Sequence, residues 1–176
     1  MIYFTYLISY SIIIEPSSKW IEPHSYYDNG NSIWGPHSYC SSGHYATGMQ
    51  LKIESQQGTF GDDSALNAVR LRCSNDQTLI SAEGNEGSWR SRVDSANAIE
   101  GVRLRSRSAS ASDDTAGNGV RFWDLNGREY RPGDGYWGDW SSTVYCPAGT
   151  VVTGLQTKAR SKSTGIHRVK FYCSSP

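Results

Sequence analysis

Two pairs of adjacent aspartates pose the first chemical question. Asp62-Asp63 stand in GDDSALNAVRLRC (61–73) and Asp113-Asp114 in SDDTAGNGVRF (112–122). Each pair precedes a hydroxyl residue (Ser64, Thr115) and then an asparagine (Asn67, Asn118). Glycoside cleavage needs two carboxyls a defined distance apart across a sugar, one with a raised pKa. Adjacency in the chain does not establish that. Calcium needs roughly six to eight oxygen ligands, and no Asp-x-Asp-x-Asp-Gly loop is present. The structural alternative is that Asp and Asn side chains bond nearby backbone N–H groups and set the turn into the next strand. Repetition favours the turn, because a catalytic site need occur only once. No catalytic residue is assigned, and Asp62, Asp63, Asp113 and Asp114 remain the carboxylate candidates.

The second group with binding chemistry is DGYWGDW (134–140). Tyr136 and Trp137 offer flat faces for stacking on a sugar, with Asp139 and the strand residue Arg121 as polar partners. Packing within the loop is the competing role. Alternating arginines such as Arg70, Arg72, Arg103 and Arg121 could hold acidic glycans. On a strand they more often form a solvated outer face paired with Asp and Glu. His24, His37, His44 and His167 show no metal-ligand spacing, and no phosphate loop, HExxH or nucleophile elbow occurs. The pattern implies no cofactor and no metal.

Composition narrows the class. Lys+Arg and Asp+Glu are 17 each, without the basic excess of a nucleic-acid or membrane-surface binder. Eighteen Gly, six Trp and eleven Tyr in 176 residues favour strands and turns, and the length fits one domain, 1–176. The apolar start, MIYFTYLISYSIII (1–14), reads equally as a signal remnant or an added strand. It is too short for a membrane span. If it is an added strand, it could pair with a partner in a larger assembly.

The elements that must position these residues come in triplicate. GMQLKIE, GVRLRSR and GLQTKAR start at Gly48, Gly101 and Gly154, 53 residues apart at each step. NAVRLRC, NGVRFWD and HRVKFYC end at Cys73, Asp124 and Cys173, and Trp34, Trp89 and Trp140 open the units. The repeats run over about 30–75, 80–125 and 130–174. In the closing strands Val69, Leu71 and Cys73 share one face, as do Val120 and Phe122, and Val169, Phe171 and Cys173. Each sheet is thus half-buried, and three of them around a threefold axis cover one another's apolar faces.

The repeat also pairs the cysteines. Units one and three hold Cys40 with Cys73 and Cys146 with Cys173; unit two has Ser95 and Asp124 at the matching positions. Both cysteines of unit two are missing together, so bonds within units leave no orphan. Cys40–Cys73 and Cys146–Cys173 are the expected disulfides, worth roughly 3–4 kcal/mol each on the loop-entropy model. They point to an oxidising compartment.

Taken together, Trp34-Gly35…Cys40, GDDSALNAVRLRC, SAEGNEGSW, SDDTAGNGVRF and WGDWSSTVYCPAGTVVTGLQTK resemble the vitelline membrane outer layer protein 1 family from about residue 30 to the end. The resemblance implies an all-β fold, a β-prism I of three four-stranded Greek-key sheets with pseudo-threefold symmetry. It also implies a secreted protein of extracellular coats and fluids, with glycans or coat proteins as partners. A chito-oligosaccharide transferase is the rival activity. The chain departs from the family at Ser95 and Asp124, where a cysteine pair is usual. It departs again at KSTGIHR (162–168), where the family's acidic turn is missing.

Overall fold

The computed structural model describes residues 17–26, 32–55, 64–107, 117–159 and 165–176. Asp62, Asp63, Asp113, Asp114 and the 1–14 segment lie outside these. Fifteen strands account for the described regular structure. They are β1 (Lys19–Ile21), β2 (Ile33–Trp34), β3 (Ser38–Tyr39), β4 (Ala46–Ile53), β5 (Leu66–Cys73), β6 (Thr78–Ile80), β7 (Ser88–Trp89) and β8 (Val93–Asp94), followed by β9 (Ile99–Ser106), β10 (Gly117–Asp124), β11 (Glu129–Tyr130), β12 (Asp139–Trp140), β13 (Val144–Tyr145), β14 (Val151–Ala159) and β15 (Ile166–Ser174). Among the described residues no helix is long and apolar enough to cross a membrane.

The strands form three antiparallel sheets: β6-β5-β4-β7/β8, β11-β10-β9-β12/β13 and β1-β15-β14-β2/β3. Each is four-stranded with its outermost strand broken into two short pieces. Three consecutive strands and a fourth returning beside the first make a Greek key in the first two sheets. In the third, the start of the chain supplies β1, β2 and β3, and its end supplies β14 and β15.

The sheets therefore do not coincide with the sequence repeats. Trp89, which opens unit two, pairs with Lys52 in the first sheet. Trp140, which opens unit three, pairs with Arg105 in the second. Trp34 pairs with Lys158 in the third. Every unit lends its first strand to the preceding sheet, and the circle closes through the N-terminal segment.

The inward faces meet on the axis. Leu51, Val69, Leu71, Val102, Leu104, Val120, Phe122, Val169 and Phe171 are all fully buried, which accounts for the alternation in the closing strands. On the outer face the residue between them carries a cation. Arg70 lies 3.6 Å from the Trp89 ring, Arg121 4.2 Å from Trp140 and Lys170 4.2 Å from Trp34. Three threefold-related cation–π pairs cover the outer sheet faces, each worth about 0.5–1 kcal/mol where exposed.

The glycine that leads each long strand is needed for a close approach. Gly101 faces the Tyr145 ring and Gly154 the Tyr39 ring, and a Cβ would come within 2.5 Å of either; at Gly48 it would strike the Asp94 carboxylate.

Three staples join the sheets at their corners. Cys40–Cys73 ties the third sheet to the first, and Cys146–Cys173 ties the second to the third. At the remaining corner Ser95 Oγ donates to Asp124 Oδ2 over 2.8 Å. Each staple lies within one sequence unit yet bridges two sheets, because each unit is divided between two sheets. Asp124 is 1% exposed and also accepts from Tyr130 Oη (2.9 Å), Asn126 N (3.0 Å) and Arg128 N (3.1 Å). Burial works against its charge, but the bonds from Ser95, Arg128, Tyr130 and Asn126 outweigh it and hold the carboxyl below its ordinary value.

Candidate functional site

The ends at which Ile53 pairs with Leu66, Ser106 with Gly117 and Ala159 with Ile166 form one end of the prism, the hairpin end. The closing strands begin there against one another. A Cβ on Gly117 would come 2.6 Å from the Ile166 carbonyl and 3.3 Å from Leu66 Cδ2. The asparagines that follow the acidic pairs are fully buried at this end. Asn67 Nδ2 donates to Ser64 Oγ (2.7 Å) and to the Ala65 carbonyl (3.3 Å), and Ser64 N donates to Glu54 Oε2 (2.8 Å). Asn118 Oδ1 accepts from Trp137 N (3.1 Å). Both asparagines hold backbone in place.

The 131–140 loop is built on that asparagine and on Arg105. Arg105 Nε donates to the Gly138 carbonyl (2.9 Å), and its Nη atoms donate to the carbonyls of Gly135 (2.9 Å) and Tyr136 (3.3 Å). The equivalent Lys52 donates to the Gly84 carbonyl (2.8 Å) and to Glu83 (3.0 Å) in the first sheet. A long cation from the second strand thus clamps the loop over its own sheet. Gly138 has φ +85° and leaves no room for a Cβ against the Ser106 carbonyl.

The four sequence candidates separate on this frame. Tyr136 is 64% exposed at the loop tip. Trp137 is half-buried under Arg107, whose guanidinium lies 5.1 Å from its ring. Asp139 is exposed on β12, paired with Ser106. Arg121 is half-buried on the outer sheet face, bonded to Glu129 (3.0 Å) and Asp134 (3.4 Å) and stacked on Trp140. Asp134 also reaches Arg105 at 3.5 Å, so Arg121 connects to the loop through one carboxylate. Glu129 sits among Arg131, Arg121 and Arg103. The hydrogen bond from Arg131 holds its carboxyl below the ordinary range; partial burial opposes the shift, and Arg121 and the charges of Arg131 and Arg103 add to it.

A cavity of about 560 Å3 opens beside this loop, lined by Glu22, His24, Ser25, Tyr26, Ser141 and Arg168 among others. Tyr26 N donates to Ser106 Oγ (2.9 Å), so the residue that pairs with Asp139 also holds the cavity's far wall. Glu22 is ion-paired with Arg168, and the His24 and Tyr26 rings meet edge-on at 4.9 Å. Apart from His24, weighed only as a metal ligand, sequence reasoning passed over EPHSY (22–26), because this segment lies before the first repeat. Its proximity to Arg168, 146 residues away, leaves no local mark. Among the described residues no group of three metal-ligating side chains converges.

Three antiparallel sheets about a pseudo-threefold axis define a β-prism protein. Solved structures share that fold. A prostate-specific WGA16 glycoprotein lectin superposes with TM-score 0.61 at 14% identity, covering 85% of this chain and 96% of that one. Calystegia sepium agglutinin gives 0.61 at 11%, covering 92% and 99%. Within this class the chain belongs to the vitelline membrane outer layer protein I (VOMI) family, whose model matches residues 24–175. It is 34% identical over 157 residues to the human vitelline membrane outer layer protein 1 homolog, covering 80% of this chain and 76% of that one. To the mouse homolog it is 32% identical over 165 residues, covering 82% and 80%.

Proposed function

We propose that this protein is a single extracellular β-prism domain of a coat or secreted fluid, and that it binds glycans at its hairpin end without transforming them. The observation that carries the reading is Tyr136. An exposed aromatic ring stands on a loop clamped by three bonds from Arg105 and connected through Ser106 to a polar, aromatic-walled cavity. A rigid stacking face beside hydroxyl, carboxylate and guanidinium groups suits a sugar, which offers an apolar face and a ring of hydroxyls.

Other facts support the reading. Solved proteins with this prism include lectins. Two disulfides fit an oxidising, extracellular setting.

A glycan array with the wild type and Tyr136→Ala tests the proposal. Binding by the wild type that falls at least tenfold in the variant is expected. No signal above background, or equal signals, would sink it. A changed chain length after incubation with chito-oligosaccharides would replace it with the transferase reading.

A further inference from the structure

The opposite end of the prism holds a second cavity, of about 360 Å3, at the corner between the third and first sheets. Its wall is aromatic: Tyr39 and Tyr172 meet edge-on with centroids 5.2 Å apart, and Trp20 stands 5.2 Å behind Tyr172. The rest of the lining is small and polar: Ser41, Ser42, His44, Thr153 and Ser174 among others.

Several contacts preorganise this corner. The Tyr39 ring lies over Gly154, where a side chain is excluded. The next residue, Cys40, is locked to Cys73. Ser41 N and Oγ donate to Gln77 Oε1 (2.8 and 2.9 Å), and Gln77 Nε2 returns a bond to the Tyr39 carbonyl (3.2 Å). Thr153 Oγ1 and Ser174 Oγ share a bond of 2.9 Å, and His44 Nδ1 lies 3.1 Å from Ser74 Oγ.

The threefold repeat supplies two internal comparisons. The residues flanking the lead glycine across the sheet are Tyr39 and Tyr172 at Gly154, Asp94 and Arg72 at Gly48, and Tyr145 and Trp123 at Gly101. At the Gly48 corner those side chains are taken up by ion pairs, Arg92–Asp94 and Arg72–Asp76. At the Gly101 corner Trp123 lies 5.2 Å from the Arg103 guanidinium, and the position of Thr153 is Glu100. Only the Gly154 corner combines two tyrosines with hydroxyls and carries no carboxylate, lysine or arginine in its lining.

We propose that this corner is a separate carbohydrate site for a neutral pyranose, one that stands whether or not the hairpin end binds sugar. Aromatic faces take the C–H face of the ring, and side-chain hydroxyls both donate to and accept from sugar hydroxyls. A charged ligand would find no counter-charge, and a purely apolar one would strip water from the hydroxyls without replacing it. The volume lies at the small end of the roughly 300–1,000 Å3 range of ligand pockets, which fits a mono- or disaccharide unit.

The test is backbone-amide NMR of the full chain titrated with chitotriose, mannotriose and lactose, with glycerol as a control. Saturable shifts at Tyr39, Ser41–His44, Thr153 and Ser174 with at least one sugar are expected. Tyr39→Ala, at a 41% exposed position, should weaken that sugar at least tenfold with the amide spectrum of the hairpin end unchanged, and Tyr39→Phe should retain it. Ser42→Ala removes a hydroxyl without touching the wall and should weaken binding several-fold. No saturable shift at 41–44 with any of the three sugars would overturn the site. So would equal shifts with glycerol, or an affinity unchanged in Tyr39→Ala. Hairpin-end binding reads out separately, at Tyr26, Tyr136 and Trp137, so either proposal can fail alone.

Discussion

Replacing Asp124 by alanine tests whether the polar staple takes the place of a disulfide. The carboxylate is buried and accepts four bonds of 2.8–3.1 Å from Ser95, Tyr130, Asn126 and Arg128. Hydrogen bonds to a charged group contribute about 1.5–3 kcal/mol each. Desolvating the carboxylate takes back several kcal/mol. In the variant the two backbone donors rehydrate in an exposed turn, but Ser95 Oγ and Tyr130 Oη lose their acceptor. The expected cost is about 3 kcal/mol by urea denaturation at pH 7 with disulfides intact. Asp124→Asn keeps an acceptor for the backbone, and its amide turns the two hydroxyls into acceptors. It should cost about 1 kcal/mol.

The pH dependence follows from the sign of the shift. The folded carboxyl lies below its unfolded value of about 3.9. Its stabilisation is therefore fully present above that value and is lost as pH falls through the lower folded one. The gap between wild type and Asp124→Asn should be flat from pH 7 to about 5 and close progressively below about 4. Equal costs for the two variants, or a gap that widens in acid, would refute the reasoning.

The double variant Ser95→Cys/Asp124→Cys, with a sequence separation of 29, should oxidise to a third inter-sheet bridge. Thiol titration would show it, and its loop entropy of about 3 kcal/mol would offset the lost network. Arg105→Met should release the 131–138 loop. Amide exchange at Gly135–Gly138 should accelerate, and stability should fall by about 1–2 kcal/mol. Gly138→Ala meets both a positive φ and the Ser106 carbonyl. It should cost upwards of 2 kcal/mol in thermal unfolding, while the exposed Tyr136→Ala changes stability by less than about 0.5 kcal/mol.

Much of the fold was legible because the repeat is written in periodicity. Arg70, Arg121 and Lys170 alternate with Val69, Val120 and Val169, and that alternation assigns inward and outward faces before any pairing is known. The candidate site was legible only in part. Tyr136 stands out as an aromatic beyond the threefold equivalence, and the structure exposes it. Arg121 lies in ion pairs, as the outer-face reading of the alternating arginines expects, and over Trp140, which its one-dimensional setting does not reveal. Residues 22–26, apart from His24, weighed only as a metal ligand, went unread because they belong to no repeat.

The sequence by itself determined three things: the family, the three half-buried sheets, and cysteine pairs within units. All are recorded in local pattern and internal repetition. Only the tertiary structure decided that each unit lends its first strand to the preceding sheet, which turns a staple within a unit into a bridge between sheets. It alone decided where the cavities form, since Tyr39 meets Tyr172, and Glu22 meets Arg168, across nearly the whole chain. The physical reason is ring closure. The third sheet is completed by strands from the two ends of the described chain, so its contacts fall between residues with no neighbourhood in sequence.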